Sequence, residues 1–206
     1  MSLFLPTYFS PISQYMAIVN SDKIVFEVED NFQKQTYRNR CYIYGPNGKQ
    51  LLNIPIKHES NQGKKRTKDT LVDNKASWQS QHLKSIQIAY RNSPFFEFYE
   101  DDLLPIFTKE YTFLLDLNID TYLFITDALQ ISNFHIKTNE YQLDSKSDYR
   151  FLANAKEDPV IKLDTYIQMF DDKFGFQKNL SILDLLFMEG PNAISYLENN
   201  TLTLKE

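Results

Sequence analysis

Gln33-Lys34-Gln35-Thr36-Tyr37-Arg38-Asn39-Arg40-Cys41 packs three cationic side chains among amide and hydroxyl groups. The segment reads as the start of a β-strand, in which alternate residues share a face. On that reading Arg38 and Arg40 project side by side, joined by Lys34 if the strand begins early. Tyr37, Asn39 and Cys41 then project the other way. Two guanidinium groups suit a phosphate or carboxylate, because each donates two hydrogen bonds in one plane. Gln33 would add an amide to such a grip. The same arginines could instead pair with acids of the chain itself, Glu27, Glu29 or Asp30.

His82 is the second candidate. It falls in a predicted helix, one turn after Trp78 and one turn before Ile86, on a face of mixed polarity. An imidazole there suits a general base taking a proton from a hydroxyl or amine. It equally suits a half-buried ring bonded to a carbonyl. Tyr90 and Asn92, at a predicted junction between helices, are candidate polar groups of a pocket. Ser93 is explained by the following Pro94 as a helix cap, and Phe95, Phe96, Phe98 and Tyr99 as core. Two further sets exist on paper, Cys41 with His82 and Ser181 with His82 and Asp184. Strand phase sets Cys41 opposite the arginines, and a capping box already explains Ser181 and Asp184.

Local signals supply the elements that must position these groups. Leu3-Phe4-Leu5 reads as a first strand, and Ser10-Pro11 opens a helix through about Asn20. A strand over Lys23–Glu29 precedes the arginine strand, Tyr37–Tyr44, which turns at Gly45-Pro46-Asn47-Gly48 into a partner over Gln50–Ile56. Lys57–Lys68, with Lys64-Lys65-Arg66, reads as an exposed loop. Helices are expected over Ser77–Tyr90, Ser93–Glu100, Leu103–Leu115 and Ile119–Leu129. Strands fit Asn133–Leu143, Leu163–Asp171 fits helix or strand, and a helix runs from Leu180 to near Gly190. The fold class is α+β: an N-terminal mixed or antiparallel sheet with a hairpin, then a mainly helical half packed on it. With no repeat or linker, residues 1–206 read as a single domain.

Composition excludes several function classes. Five Gly are too few to build a glycine-rich phosphate loop, a dinucleotide fingerprint or a nucleophile elbow. One cysteine allows no intramolecular disulfide, and His58, His82 and His135 lack zinc-site spacing, so no metal or cofactor is expected. A net charge of −5 argues against a nucleic-acid surface. No signal peptide is evident, and Asp116, Asn118 and Asp120 interrupt the most apolar stretch, so no membrane span is expected. A cytoplasmic location fits.

In order along the chain, the motifs resemble the WbqC-like family of bacterial proteins. The matching pieces are Pro6-Thr7-Tyr8-Phe9 with Gln14-Tyr15, the Gln33–Arg40 segment, and the Asn47-Gly48 hairpin running to Ile54-Pro55. They continue with Trp78-Gln79-Ser80-Gln81-His82, Ala89-Tyr90-Arg91-Asn92-Ser93-Pro94-Phe95-Phe96 with Tyr99, and Leu180–Gly190. The resemblance implies a setting in O-antigen and related surface-polysaccharide biosynthesis, without an established mechanism. The expected activity is a transferase acting on a small anionic sugar or acyl substrate, a nucleotide sugar among the candidates. Its residues would be His82 as base and Arg38, Arg40, Lys34, Gln33, Tyr90 and Asn92 as binders. The alternative is a non-catalytic accessory protein that holds a glycan precursor or a partner, and a homo-oligomer is an open option.

Overall fold

The computed structural model describes residues 1–57, 65–132, 134–156 and 161–202. In chain order the elements are β1 (Ser2–Phe4), α1 (Ile12–Val19), β2 (Ile24–Phe26), β3 (Arg40–Gly45), β4 (Gly48–Asn53), α2 (Trp78–Tyr90), α3 (Phe96–Thr108), α4 (Leu114–Ala128), β5 (His135–Lys137), β6 (Ser147–Asp148), β7 (Ile161–Lys162), α5 (Asp171–Phe174), α6 (Ile182–Glu189), α7 (Ala193–Asn199) and β8 (Thr201–Leu202). The class is α+β.

The main sheet has the order β5-β2-β1-β6, and every pairing in it is parallel. This arrangement departs from an N-terminal sheet followed by a helical half, because β5 and β6 come from the last third of the chain. Strands of two or three residues are too short to show a period, and parallel partners need no local turn to announce them. The progression β1, β2, β5 moves outward in one direction, and β6 then enters on the other side of β1. The strand order therefore reverses beside β1.

The sheet is buried from end to end of its central strands. Ser2, Leu3 and Phe4 of β1 and Ile24, Val25 and Phe26 of β2 are all buried. The stretch over Lys23–Glu29 reads as alternating, but its paired core Ile24-Val25-Phe26 is apolar and buried throughout, as is expected of a parallel strand covered on both faces. α4 packs on the sheet, with Tyr122 edge-on to Phe26 at 5.1 Å between ring centroids and to His135 at 5.3 Å.

The expected hairpin is present: β3 and β4 pair antiparallel from Arg40↔Asn53 to Gly45↔Gly48. Pro46 and Asn47 form its tip, and Gly48 adopts φ +97°, a conformation that costs a glycine little. α2 matches its expected span. α3 runs through Pro105 to Thr108 and starts at Phe96, so Ser93 is not its cap. α6 does begin at a Ser181 cap, whose Oγ accepts the Leu183 amide at 3.3 Å. The expected loop over Lys57–Lys68 falls partly on residues 58–64, outside the described residues, as does Asn133 of the expected strand.

Candidate cationic cavity at the sheet edge

Open parallel sheets bind ligands beyond the carboxyl ends of their strands, next to the point where strand order reverses. A cavity of about 410 Å³ occupies this position. Its lining takes Leu5 from the end of β1, Asp30 to Arg38 from the stretch after β2, Tyr141 from beyond β5, and Arg150 to Lys156 from beyond β6. Backbone bonds close the two long segments on each other. Tyr37 N–H donates to the Ala153 carbonyl at 2.8 Å, and Thr36 bridges to Asn154.

The charged residues of this lining are Lys34, Arg38, Arg150, Lys156 and Asp30, an excess of cations over the single acid. Arg38 is 2% exposed, the bulkiest of the fully buried side chains. Its guanidinium pairs with Asp30 and donates from Nη1 to Thr36 Oγ1 at 3.2 Å, leaving Nε–H buried without an acceptor. Asp30 is held from its other oxygen by the Thr67 hydroxyl at 2.5 Å. Burial pulls the Arg38 pKa down, and the neighbouring carboxylate offsets the pull. Asn118 of α4 secures the backbone here, donating to the Pro6 carbonyl at 3.1 Å and the Arg38 carbonyl at 2.9 Å.

Arg150 plays a different part. Its Nε and Nη2 bind Asp148, Nη1 donates to the Gln142 carbonyl at 2.7 Å, and Nη2 also reaches the Leu143 carbonyl at 3.2 Å. Its donors are thus committed to holding the 142–143 segment against β6. Lys34 and Lys156 are exposed and make no ion pair among the described residues.

The structure gathers Gln33, Lys34 and Arg38 into the cavity, but not Arg40, His82, Tyr90 or Asn92. The two arginines do not form a strand pair, because β3 begins only at Arg40. The residues before it are bonded irregularly, with Tyr8 N–H on the Tyr37 carbonyl and Ile54 N–H on the Asn39 carbonyl. Arg38 therefore turns to Asp30, one of the internal acids that could have claimed it. Arg40 Nε is buried without a hydrogen-bond partner.

His82 is 5% exposed, and its Nδ1 lies 3.0 Å from the Tyr8 hydroxyl. Burial pushes its pKa down to about 4, against a smaller opposing effect from a backbone hydrogen bond at Asn53. Tyr90 is fully buried and donates to Asp184 at 2.8 Å while accepting the Tyr44 amide at 3.0 Å. Asn92 is exposed in the turn between α2 and α3. Cys41 is buried, and burial pushes its thiol pKa far up, which removes the thiolate a nucleophile needs. Asp184 does not complete a capping box, since its carboxylate points at tyrosines.

Sequence reasoning missed the far wall, Tyr141, Arg150, Phe151, Asn154 and Lys156. The signal available was the alternation Tyr149-Arg150-Phe151 with Lys156 close behind, a cation between aromatics.

Fold and site together define an α+β protein with a cationic cavity at the carboxyl edge of a parallel sheet. No helix among the described residues is long and apolar enough to cross a membrane. The family model for the WbqC-like protein family matches residues 6–168, and the chain belongs to that family. The match contains the whole cavity lining except Leu5, while Leu180–Gly190 lies beyond it. No curated protein and no solved structure matches the chain.

Proposed function

We propose that the protein binds a small anionic molecule in the cavity at the sheet edge. One observation carries the reading: a cavity with four cationic residues and one acid, in which Lys34 and Lys156 make no ion pair among the described residues. Arg38 adds a third positive charge to the lining from a buried position, paired with Asp30. Charge-assisted bonds from such donors favour a phosphate or carboxylate. In the family's setting of bacterial surface-polysaccharide gene clusters, the ligand would be an anionic sugar or acyl precursor in the cytoplasm.

Binding is favoured over transfer with His82 as base. That ring lies against Tyr8 in the core and does not line the cavity, so it would have to leave its partners to meet a ligand.

A thermal-shift and calorimetric screen with inorganic phosphate, sugar phosphates and acyl carboxylates tests the reading. A ligand at 100 times its Kd stabilises the fold by about 2.7 kcal/mol. The Lys34→Ala/Lys156→Ala double variant should keep its unliganded stability within about 0.5 kcal/mol, since both residues are exposed. It should bind the responding anion at least tenfold more weakly. An unchanged affinity in that variant, or no response to any anion, would overturn the proposal.

A further inference from the structure

Two large aromatic rings stand exposed on the wall of the same cavity, Tyr141 at 51% and Phe151 at 48%. Single exposed aromatics are ordinary on protein surfaces; two that face one cationic cavity from separate segments are a feature to explain.

Tyr141 is not held by its own contacts alone. The next residue, Gln142, is fixed on both sides of its backbone. Its N–H donates to the carboxylate of buried Glu27 at 2.8 Å, and its carbonyl accepts from Arg150. The Arg150 guanidinium also lies over the Tyr141 ring, 5.4 Å from its centroid, while half of the side chain stays open. A buried carboxylate and a partly buried guanidinium thus hold a half-open ring at the cavity wall. Phe151 comes from the short helical turn after β6, whose next residues, Leu152 and Ala153, are buried. Gln33, Gln35 and Asn154 add amide donors and acceptors to the same lining.

We infer that the ligand of this cavity is a nucleoside phosphate, with its base against Tyr141 and Phe151 and its phosphate toward Lys34 and Lys156. The inference rests on the anion-binding reading above and adds the ring. Stacking on aromatic faces recognises every base, and side-chain amides complement the polar edge of a base. A cavity of about 410 Å³ lies near the lower end of small-molecule sites and suits one nucleotide rather than a polymer. Arg150 serves as a positioning residue, because its donors are committed to Asp148 and the 142–143 carbonyls.

Calorimetry on the full chain with uridine 5′-monophosphate, adenosine 5′-monophosphate, glucose 1-phosphate and inorganic phosphate tests the inference. At least one nucleotide should bind tenfold or more tightly than glucose 1-phosphate. Tyr141→Leu and Phe151→Leu should each shrink that gap while leaving the affinity for inorganic phosphate within twofold. Tyr141→Phe should restore it, which separates ring stacking from loss of fold. Equal affinity for nucleotides and glucose 1-phosphate would overturn the ring assignment and leave the anion site standing. Tight nucleotide binding unaffected by either leucine substitution would also overturn it. Should no phosphorylated probe bind while an acyl carboxylate does, the nucleotide inference fails and the anion reading survives; silence from both classes removes both.

Discussion

The protein buries two aspartates in opposite ways. Asp184, fully buried, accepts from the Tyr90 hydroxyl at 2.8 Å, the Tyr166 hydroxyl at 2.6 Å and Gln168 Nε2 at 2.8 Å. Its neighbours are neutral, and burial raises its pKa despite those three donors. Asp30 faces a guanidinium instead and lines a cavity. The first cluster is closed: its donors meet its acceptors, and it joins α2, α6 and the 166–168 segment. The second is open, because Arg38 retains a buried donor without an acceptor. Closed polar networks define a unique packing, whereas the Asp30–Arg38 pair at a cavity wall is where the proposed anion site is built.

The largest effect should come from Asp184→Leu. It strips the acceptor from three buried donors, each costing about 1–3 kcal/mol, so urea unfolding should show a loss of about 4 kcal/mol or more. Anion affinity of the surviving folded protein should not change. A loss below about 1 kcal/mol would erase the contrast between the clusters.

Arg38→Met should cost about 3 kcal/mol, because the Asp30 carboxylate is left buried without its counter-charge. Unlike the first change, it should also weaken anion binding measurably. Stability loss with intact binding would turn the Asp30 cluster into a second closed one.

A smaller effect concerns His82, which is held neutral by burial. Its folded pKa, about 4, lies below the ordinary 6.5. Between those values the unfolded chain binds more protons than the folded one, so stability is present above pH 6.5 and is lost as the pH falls toward 4. At about 1.36 kcal/mol per pKa unit, the drop from pH 7 to pH 5 is about 2 kcal/mol. Urea midpoints of His82→Gln should show a correspondingly shallower acid limb. Parallel limbs in variant and parent would mean that the ring is not held neutral.

Legibility of the fold followed the range of the interactions. α2, the hairpin and the Ser181 cap carry their signals within a few residues, in periodicity, a Pro-Asn-Gly turn and a capping hydroxyl. The sheet does not, since β1 finds its neighbours at Ile24–Phe26 and Ser147–Asp148 by parallel pairing. The cavity divides along the same line. Gln33, Lys34 and Arg38 stood out as a local cluster of donors, whereas Tyr141, Phe151 and Lys156 join them only through β5 and β6. Arg40 was grouped with Arg38 by an assumed strand phase, and the later start of β3 separates them.

The central position of β1 has a consequence for how the chain is made. β1 is synthesised well before Ser147 and Asp148, with which it pairs, and Ile12 just after it bonds the Leu180 carbonyl. Until those residues emerge, one edge of β1 has no native strand to pair with, and bare strand edges invite pairing with other chains. Contacts so distant in sequence also slow folding. Translation stalled before residue 147 should therefore yield an aggregation-prone product that a holdase chaperone shields, and an anion added to nascent chains should bind only once the far wall of the cavity has been synthesised.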